Sequence, residues 1–326
     1  MTHILLLGAG FSRNWGGWLA SETFEYLLGC PEIAKDKRLI ELLWKHQSGG
    51  GFEDVLAELQ IAFRRDRNTN AQQLKEFQSA VSRMFEDMNS AFLETTDWEF
   101  QNNRPRLVKT FLTKFDAIFT LNQDVLIEHF YHNDNIDIIV GKRRDYQIPG
   151  MRRVPFEEGL HTSSWARSTW IPLPEHEFEV EKNVQPYFKL HGSSNWKDNN
   201  GSDLLVMGGA KSMAINQSPI LKWYAKIFDE FLSGQNVKLM VIGYGFRDQH
   251  INEALMRGMV MGMKIFVIAP EGAKAAIKHN QINTFTPSET ESLLQRSLIG
   301  ASQRLLKDTF SNDIAEFRKV MRFFEP

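Results

Sequence analysis

The chain has 326 residues, 42% hydrophobic and 24% charged, with a formal net charge of −2. That length allows one large domain or two small ones with a sizeable core, and the composition excludes a disordered or fibrous chain. The near-neutral balance supplies no bulk attraction to polyanions, so direct nucleic-acid binding is not expected.

In chain order, His3 to Leu7 reads as a short buried strand ended by glycine. The apolar run Ile4–Leu7 leads straight into a glycine turn, so it does not read as a signal peptide. Gly8-Ala9-Gly10-Phe11-Ser12 is the turn, and Trp18 to Leu28 the helix after it. Cys30 is the only cysteine, which excludes intramolecular disulfides and a four-cysteine zinc module. From Asp36 to Thr110 apolar residues recur at helical spacing, as in Leu39, Leu42, Leu43 and Val55, Leu56, Leu59, Phe63. Ser48-Gly49-Gly50-Gly51 interrupts this helical stretch and Asn102-Asn103-Arg104-Pro105 helps to close it.

Strand character returns at Ala117–Thr120, with a helix expected through Tyr131. Asp134 to Glu181, with Pro149, Pro155, Pro172 and Pro174, reads as loops and small strands. Its basic runs, Gly141-Lys142-Arg143-Arg144 and Met151-Arg152-Arg153, read as solvated surface. Further strands are expected at Tyr187–Leu190, Leu204–Met207, Val237–Ile242 and Lys264–Ile268, with helices at Ile220–Leu232 and Asp248–Met256. Ser288 to Phe324 reads as mostly amphipathic helix. No stretch approaches the roughly 20 apolar residues of a membrane span, and a soluble, cytoplasmic protein is expected.

Strands alternating with helices predict an α/β fold, a doubly wound (Rossmann-like) parallel sheet with a helical insertion and a helical C-terminal tail. The expected boundaries are 1–35 and 106–285 for the sheet domain, 36–105 for the insertion and 286–326 for the tail.

Four motifs fall directly after predicted strands. In the first, Gly8 permits a tight turn and Gly10 lets backbone approach a pyrophosphate at a helix N-terminus. The usual third glycine of that fingerprint is replaced by Arg13, and many ordinary turns also contain Gly-x-Gly. In the second, Thr120-Leu121-Asn122-Gln123-Asp124, the Asn can orient a ribose hydroxyl or a water, or simply cap the next helix. In the third, Lys189-Leu190-His191-Gly192-Ser193-Ser194, the His can face a pocket or serve as a satisfied structural residue. In the fourth, Ile242-Gly243-Tyr244-Gly245-Phe246-Arg247-Asp248, the glycines suit close ligand approach or a plain tight loop, and Asp248 can cap the following helix. A parallel sheet gathers all four on its carboxyl edge, where such folds bind nucleotides. No His-x-x-x-His pair occurs, and no metal site is expected.

At these residues the sequence resembles the sirtuin superfamily, and most of all the divergent, zinc-free bacterial branch of sirtuin-like NAD-cleaving proteins of antiphage defence. The four blocks occur in the family's order and extend to about residue 270. The resemblance implies that Asn122 and His191 are the paired catalytic residues and that Gly8, Ala9, Gly10, Phe11 and Ser12 form the phosphate loop. It implies that Gly243, Tyr244 and Asp248 bind ribose and that Asp124 contacts the carboxamide or steadies Asn122. Two departures argue against protein deacylation: the missing cysteines, and Asn14-Trp15-Gly16-Gly17-Trp18 in place of a Pro-Asp-Phe-Arg segment.

The activity implied is hydrolysis of NAD to nicotinamide and ADP-ribose, with NAD as substrate and no prosthetic group, in a regulated antiviral effector that depletes NAD. The alternatives are a non-catalytic NAD or ADP-ribose sensor and an assembly subunit of a defence complex. A DNA-translocating ATPase encoded nearby is the partner the resemblance implies. The apolar residues Leu42, Trp44, Phe63, Phe85 and Phe92 of the insertion, and Phe317, Val320, Met321, Phe323 and Phe324 of the tail, raise the expectation of a homo-oligomer.

Overall fold

The computed structural model describes residues 1–48, 50–101, 106–132, 146–154, 165–209, 211–279 and 287–326. The basic run 141–144 and the stretch 102–105 lie outside the described residues. Strand β1 (Thr2–Leu7) is followed by a single helical turn, α1 (Ala9–Ser12), and then by α2 (Ala20–Leu28). Helices α3 (Pro31–Ala34), α4 (Lys37–His46), α5 (Phe52–Arg65) and α6 (Arg67–Glu94) build the helical block. The Asp36 carboxylate caps α4, accepting from the N–H groups of Arg38 and Leu39. Helix α5 opens on Glu53 and Asp54 and closes on Arg64 and Arg65, the charge order its dipole favours.

The chain returns through α7 (Val108–Leu112) to β2 (Ala117–Thr120) and α8 (Leu126–Phe130). Short strands β3 (Tyr146–Gln147), β4 (Met151–Val154) and β5 (Thr169–Pro172) precede β6 (Gln185–Lys189), β7 (Gly192–Lys197) and β8 (Asp203–Leu205). Helices α9 (Lys211–Gln217) and α10 (Pro219–Leu232) lead to β9 (Val237–Ile242), α11 (Gln249–Val260) and β10 (Lys264–Ile268). The rest comprises α12 (Ala273–His279), α13 (Pro287–Ser297), β11 (Leu298–Ser302), α14 (Leu306–Ser311) and α15 (Ile314–Met321).

The strands form a seven-stranded sheet in the order β11-β10-β9-β1-β2-β6-β3, in which every pairing is parallel, with helices around it. This is the doubly wound, Rossmann-like α/β architecture expected from the sequence. A parallel sheet covered on both faces needs strands apolar on both sides. Ile4 to Leu7, Ala117 to Phe119 and Leu239 to Val241 are accordingly buried without a break. The chain winds outward from β1 through β2 and β6, then restarts at β9 on the other side. The winding therefore reverses between β1 and β9, the switch point at which such sheets open a ligand crevice.

Two elements differ from expectation. The tail is not all helix: Leu298–Ser302 continues the sheet beside β10, with Val267 opposite Ala301 and Ile268 opposite Ser302. Gly300 fits under Phe266, whose ring leaves no room for a Cβ. The second difference is a four-stranded sheet, β4-β5-β7-β8, built partly from the polar run after His191 and anchored by the buried Trp196.

The apolar residues of the helical segments pack mostly within the chain. Leu42, Phe85, Phe92, Val320 and Phe323 are buried, and Phe317, Met321 and Phe324 pack against the core. Trp44 remains 56% exposed. Among the described residues no helix is long and apolar enough to cross a membrane.

Candidate active site

The four motifs meet at the carboxyl edge of the sheet. Thr120 of β2 lies opposite Lys189 of β6, so Asn122 and His191 each stand two residues beyond paired positions of neighbouring strands. Parallel strands run about 4.8 Å apart, which brings both residues to one rim of the crevice.

The loops after β1 and β9 are interlocked. Gly8 N–H donates to Ile242 O and Gly10 N–H to Gly243 O, both at 2.9 Å, and Phe11 N–H donates back to Gly8 O at 2.8 Å. A Cβ on Gly8 would meet Gly243 O at 2.6 Å, and one on Gly10 would meet Gly243 Cα at 2.8 Å. The glycines are therefore required by loop-to-loop contact, a reason different from the phosphate approach suggested by the motif. Ala9 to Ser12 form only one helical turn.

Asn122 does not cap a helix. Its Nδ2 donates to Gly8 O at 3.1 Å and to Ser12 Oγ at 2.9 Å. Ser12 Oγ in turn donates to Asp124 Oδ2 at 2.8 Å, while Asp124 Oδ1 accepts from Leu126 N–H at the start of α8. Asp124 thus takes the capping role and leaves Asn122 tied to the glycine loop. From the helical block, Asn89 of α6 donates to Ser194 Oγ and accepts from Val125 N–H, reaching the loops beyond β6 and β2.

Beneath this rim lies a pair that the sequence reading did not single out. Lys189 and Glu128, both fully buried, form an ion pair at 2.7 Å, and Lys189 also donates to Asp124 O. Tyr187 donates its hydroxyl to Glu128 Oε2 at 3.3 Å.

His191 is 2% exposed, at the point where the chain leaves β6 for β7. Gly192 has φ +73, and a Cβ there would sit 2.0 Å from Leu204 O, so this exit requires glycine. His191 Nε2 faces Nε2 of His250 at 3.0 Å. Burial, the Lys211 ammonium and His250 outweigh the opposing pull of Asp248 and lower the His191 pKa to about 3. His191 is therefore a neutral imidazole at pH 7. Burial also lowers the pKa of His250.

Asp248 stands at the N-cap position of α11 without capping it. Its Oδ1 instead accepts from Lys211 Nζ at 2.6 Å, and Lys211 reaches Glu53 of α5 at 2.7 Å. Burial pulls Lys211 down, but the two carboxylates outweigh it and raise its pKa. The turn is closed by Tyr244, whose hydroxyl accepts from Asp248 N–H and bonds Asn252 Oδ1, each at 3.0 Å. Donor atoms of His191, Asp248 and His250 lie within 4.8 Å of one another, the spacing of a metal cluster. Lys211 already supplies a cation to that carboxylate, however, and nothing in this donor set requires a metal.

His250, Lys211 and Glu53 were not singled out from the sequence. His250 was recognisable only as one of nine histidines, and the long-range pairs had no local signal. A separate cleft of about 510 Å³, lined by Met1, Thr2, Asp116, Lys182 and Phe231, lies at the opposite, amino-terminal edge of the sheet and holds none of these groups.

The family model of the SIR2-like domain matches residues 116–286, more than half of the chain. The chain belongs to the SIR2-like domain family. The match runs from the start of β2 past β10, and so covers Asn122, His191 and the loop after β9. Its architecture is similar to that of a Sir2 homologue solved with NAD, at 11% identity and a TM-score of 0.39, covering 98% of this chain and 90% of that one. A structure solved for the mechanism and regulation of Sir2 enzymes gives 13% identity and a TM-score of 0.40, covering 98% and 93%. A Sir2 homologue mutant solved with ADP-ribose gives 12% identity and a TM-score of 0.39 at the same coverage. A search of curated proteins gives no match. The SIR2-like segment thus supplies the rim of the crevice, whereas the glycine loop after β1 comes from outside the matched residues.

Proposed function

We propose that this SIR2-like chain is an NAD glycohydrolase that cleaves NAD to nicotinamide and ADP-ribose, using Asn122 and His191. The observation that supports the reading is the pairing of β2 with β6, in which Asn122 and His191 each follow a paired position by two residues, with Asn122 hydrogen-bonded to the loop after β1. In this reading Gly8 to Ser12 receive the pyrophosphate and Gly243, Tyr244 and Asp248 lie along a ribose.

Nicotinamide leaves as a neutral molecule, so no strong general acid is needed. The site has to stabilise an oxocarbenium-like ribose and place a water. Asn122 holds the water or the ribose hydroxyls. His191 takes a proton from one of them, work that a neutral imidazole can do and an imidazolium cannot. NAD is the substrate, and no prosthetic group takes part. The regulated antiviral role, restraint by a partner such as a DNA-translocating ATPase and a cytoplasmic location belong to the same proposal. Self-association belongs to it too, with the exposed Trp44 as its best-motivated contact.

The alternative reading is an NAD or ADP-ribose sensor that binds at the same rim without cleaving. In both readings the N–H groups of Gly8, Gly10 and Phe11 are already bonded to protein carbonyls, so a pyrophosphate there is held by the other groups of the loop. Incubation with NAD, with nicotinamide followed by chromatography, separates the two. The glycohydrolase releases nicotinamide, and Asn122→Ala abolishes release while the melting profile stays that of the wild type. Near-wild-type turnover by Asn122→Ala refutes the catalytic assignment, and NAD binding without any release establishes the sensor.

A further inference from the structure

We propose that His250 is the positioning partner of His191, held by a side-chain chain through Asp248 and Lys211 to Glu53 on the helical block. The proposal rests on the glycohydrolase reading for what His191 does, but its geometry stands apart from it.

Two ring nitrogens facing each other at 3.0 Å must carry one hydrogen between them. Two N–H groups would collide, and two lone pairs would repel. The pair therefore has complementary tautomers, and the nitrogen His250 presents decides which tautomer His191 adopts. With His250 offering its lone pair, His191 donates through Nε2 and keeps a lone pair on its other ring nitrogen. That is the form a proton acceptor needs. When water attacks the ribose carbon, the C–N bond to nicotinamide breaks and its electron pair leaves with the neutral base, while an O–H bond of the water breaks and that nitrogen takes the proton. The Nε2 hydrogen stays in the bond to His250, and the proton on the other nitrogen passes to solvent once the products leave, which restores the pair.

An Asp248 carboxylate oxygen lies within 4.8 Å of a His250 ring nitrogen. Asp248 precedes it by two residues and spends its carboxylate on Lys211 rather than on the helix terminus. Lys211 is 12% exposed and bridges Asp248 to Glu53, so α5, α9 and α11 converge on one ammonium. The charged groups facing the histidine pair are Lys211 from α9 and Asp248 from the loop before α11. Glu253 of α11 faces His250, and Glu53 with Asp54 of α5 lies behind Lys211. Lys211 disfavours an imidazolium on either ring, and Asp248 favours one. Charge changes at these two positions therefore move His191 in opposite directions.

The test combines ¹⁵N-histidine NMR on the full chain without nucleotide with nicotinamide release. In the wild type, the His191 and His250 ring nitrogens report one complementary tautomer pair. His250→Ala changes the His191 tautomer pattern and moves its titration toward the ordinary histidine range. Lys211→Met also moves it up, and Asp248→Asn moves it down. In the assay, His250→Ala lowers kcat by about 10–100-fold with KM within about twofold, the acid limb of the rate profile moves to higher pH, and His250→Gln recovers part of the loss. His191 resonances unmoved by His250→Ala, or a kcat unchanged in that variant, overturn the proposal. Should His250→Ala fail to fold, His250→Phe, which keeps a ring but has no nitrogen to present, decides the same point by whether the His191 tautomer pattern changes. Wild-type protein that releases no nicotinamide refutes the glycohydrolase reading alone, and the NMR arm still decides the pairing.

Discussion

Gly243→Ala tests the interlock between the loops after β1 and β9. Gly243 has φ +66, and an added Cβ would lie 2.3 Å from Phe11 N, 2.4 Å from Gly10 C and 2.6 Å from Gly10 Cα. All three are backbone atoms, so no rotamer change relieves the clash. The left-handed conformation costs an alanine about 1–2 kcal/mol, and forcing packed backbone apart adds about 1–3 kcal/mol. The expected loss is about 2–5 kcal/mol, a large part of the roughly 5–15 kcal/mol that holds a domain together. Gly16→Ala is the control, because Gly16 has φ +91 and nothing lies within 4 Å of its added Cβ. It isolates the conformational cost. Urea denaturation of both variants gives the difference directly, with Gly243→Ala unfolding at lower urea than Gly16→Ala by roughly 1 M at a typical urea dependence. Equal midpoints would refute the claim that these glycines serve loop contact.

His132 is buried among Tyr131, Tyr146, Trp165 and Tyr187, and neither ring nitrogen has a partner among the described residues. Burial, aided by Lys189, lowers its pKa from 6.5 to about 3. Between those values the unfolded chain binds a proton that the native chain does not. Stability attributable to this group is thus complete above pH 6.5 and falls as the pH drops toward 3. His132→Phe should flatten that decline in urea melts at pH 7 and pH 5, and an unchanged slope would count against it. Lys189→Met leaves Glu128 buried and unpaired, at an expected cost of about 3–5 kcal/mol, and adding Glu128→Leu should recover most of it. A double variant as unstable as the single one would show that the Lys189 stem and its bond to Asp124 O matter more than the charge pair.

The parts of the fold that could be read from the sequence are those in which one local pattern decides the outcome. Ala117–Thr120, Val237–Ile242 and Lys264–Ile268 are apolar runs bounded by turns, and the structure places strands over those same residues. Leu298–Ser302 was hidden because it follows α13 without a break and contains Gly300 and Ser302, neither a strand-forming residue. It becomes a strand because the edge of β10 is there to pair with. Ser193, Ser194 and Asn195 concealed β7 in the same way, since a polar run reads as a loop until Trp196 is seen to anchor it. At the site, Asn122 and His191 could be placed on one rim from strand ends alone. His250, Lys211 and Glu53 could not, because their pairing spans three helices and leaves no periodic trace.

The central strand of the sheet carries a cost in time. Ile4 pairs with Ala117 on one side, and Thr2 pairs with Val237 on the other. Neither neighbour is available to β1 until a long stretch of chain has been made, whereas α5 and α6 are adjacent in sequence and can pack early. Closing such long loops is paid for before the pairing gives anything back. During synthesis, then, the apolar segment Ile4–Leu7 stays without its native neighbours while the helical block forms. Refolding should accordingly show early helix formation and a later step in which the sheet closes around its first strand, the interval in which this chain is most prone to aggregate.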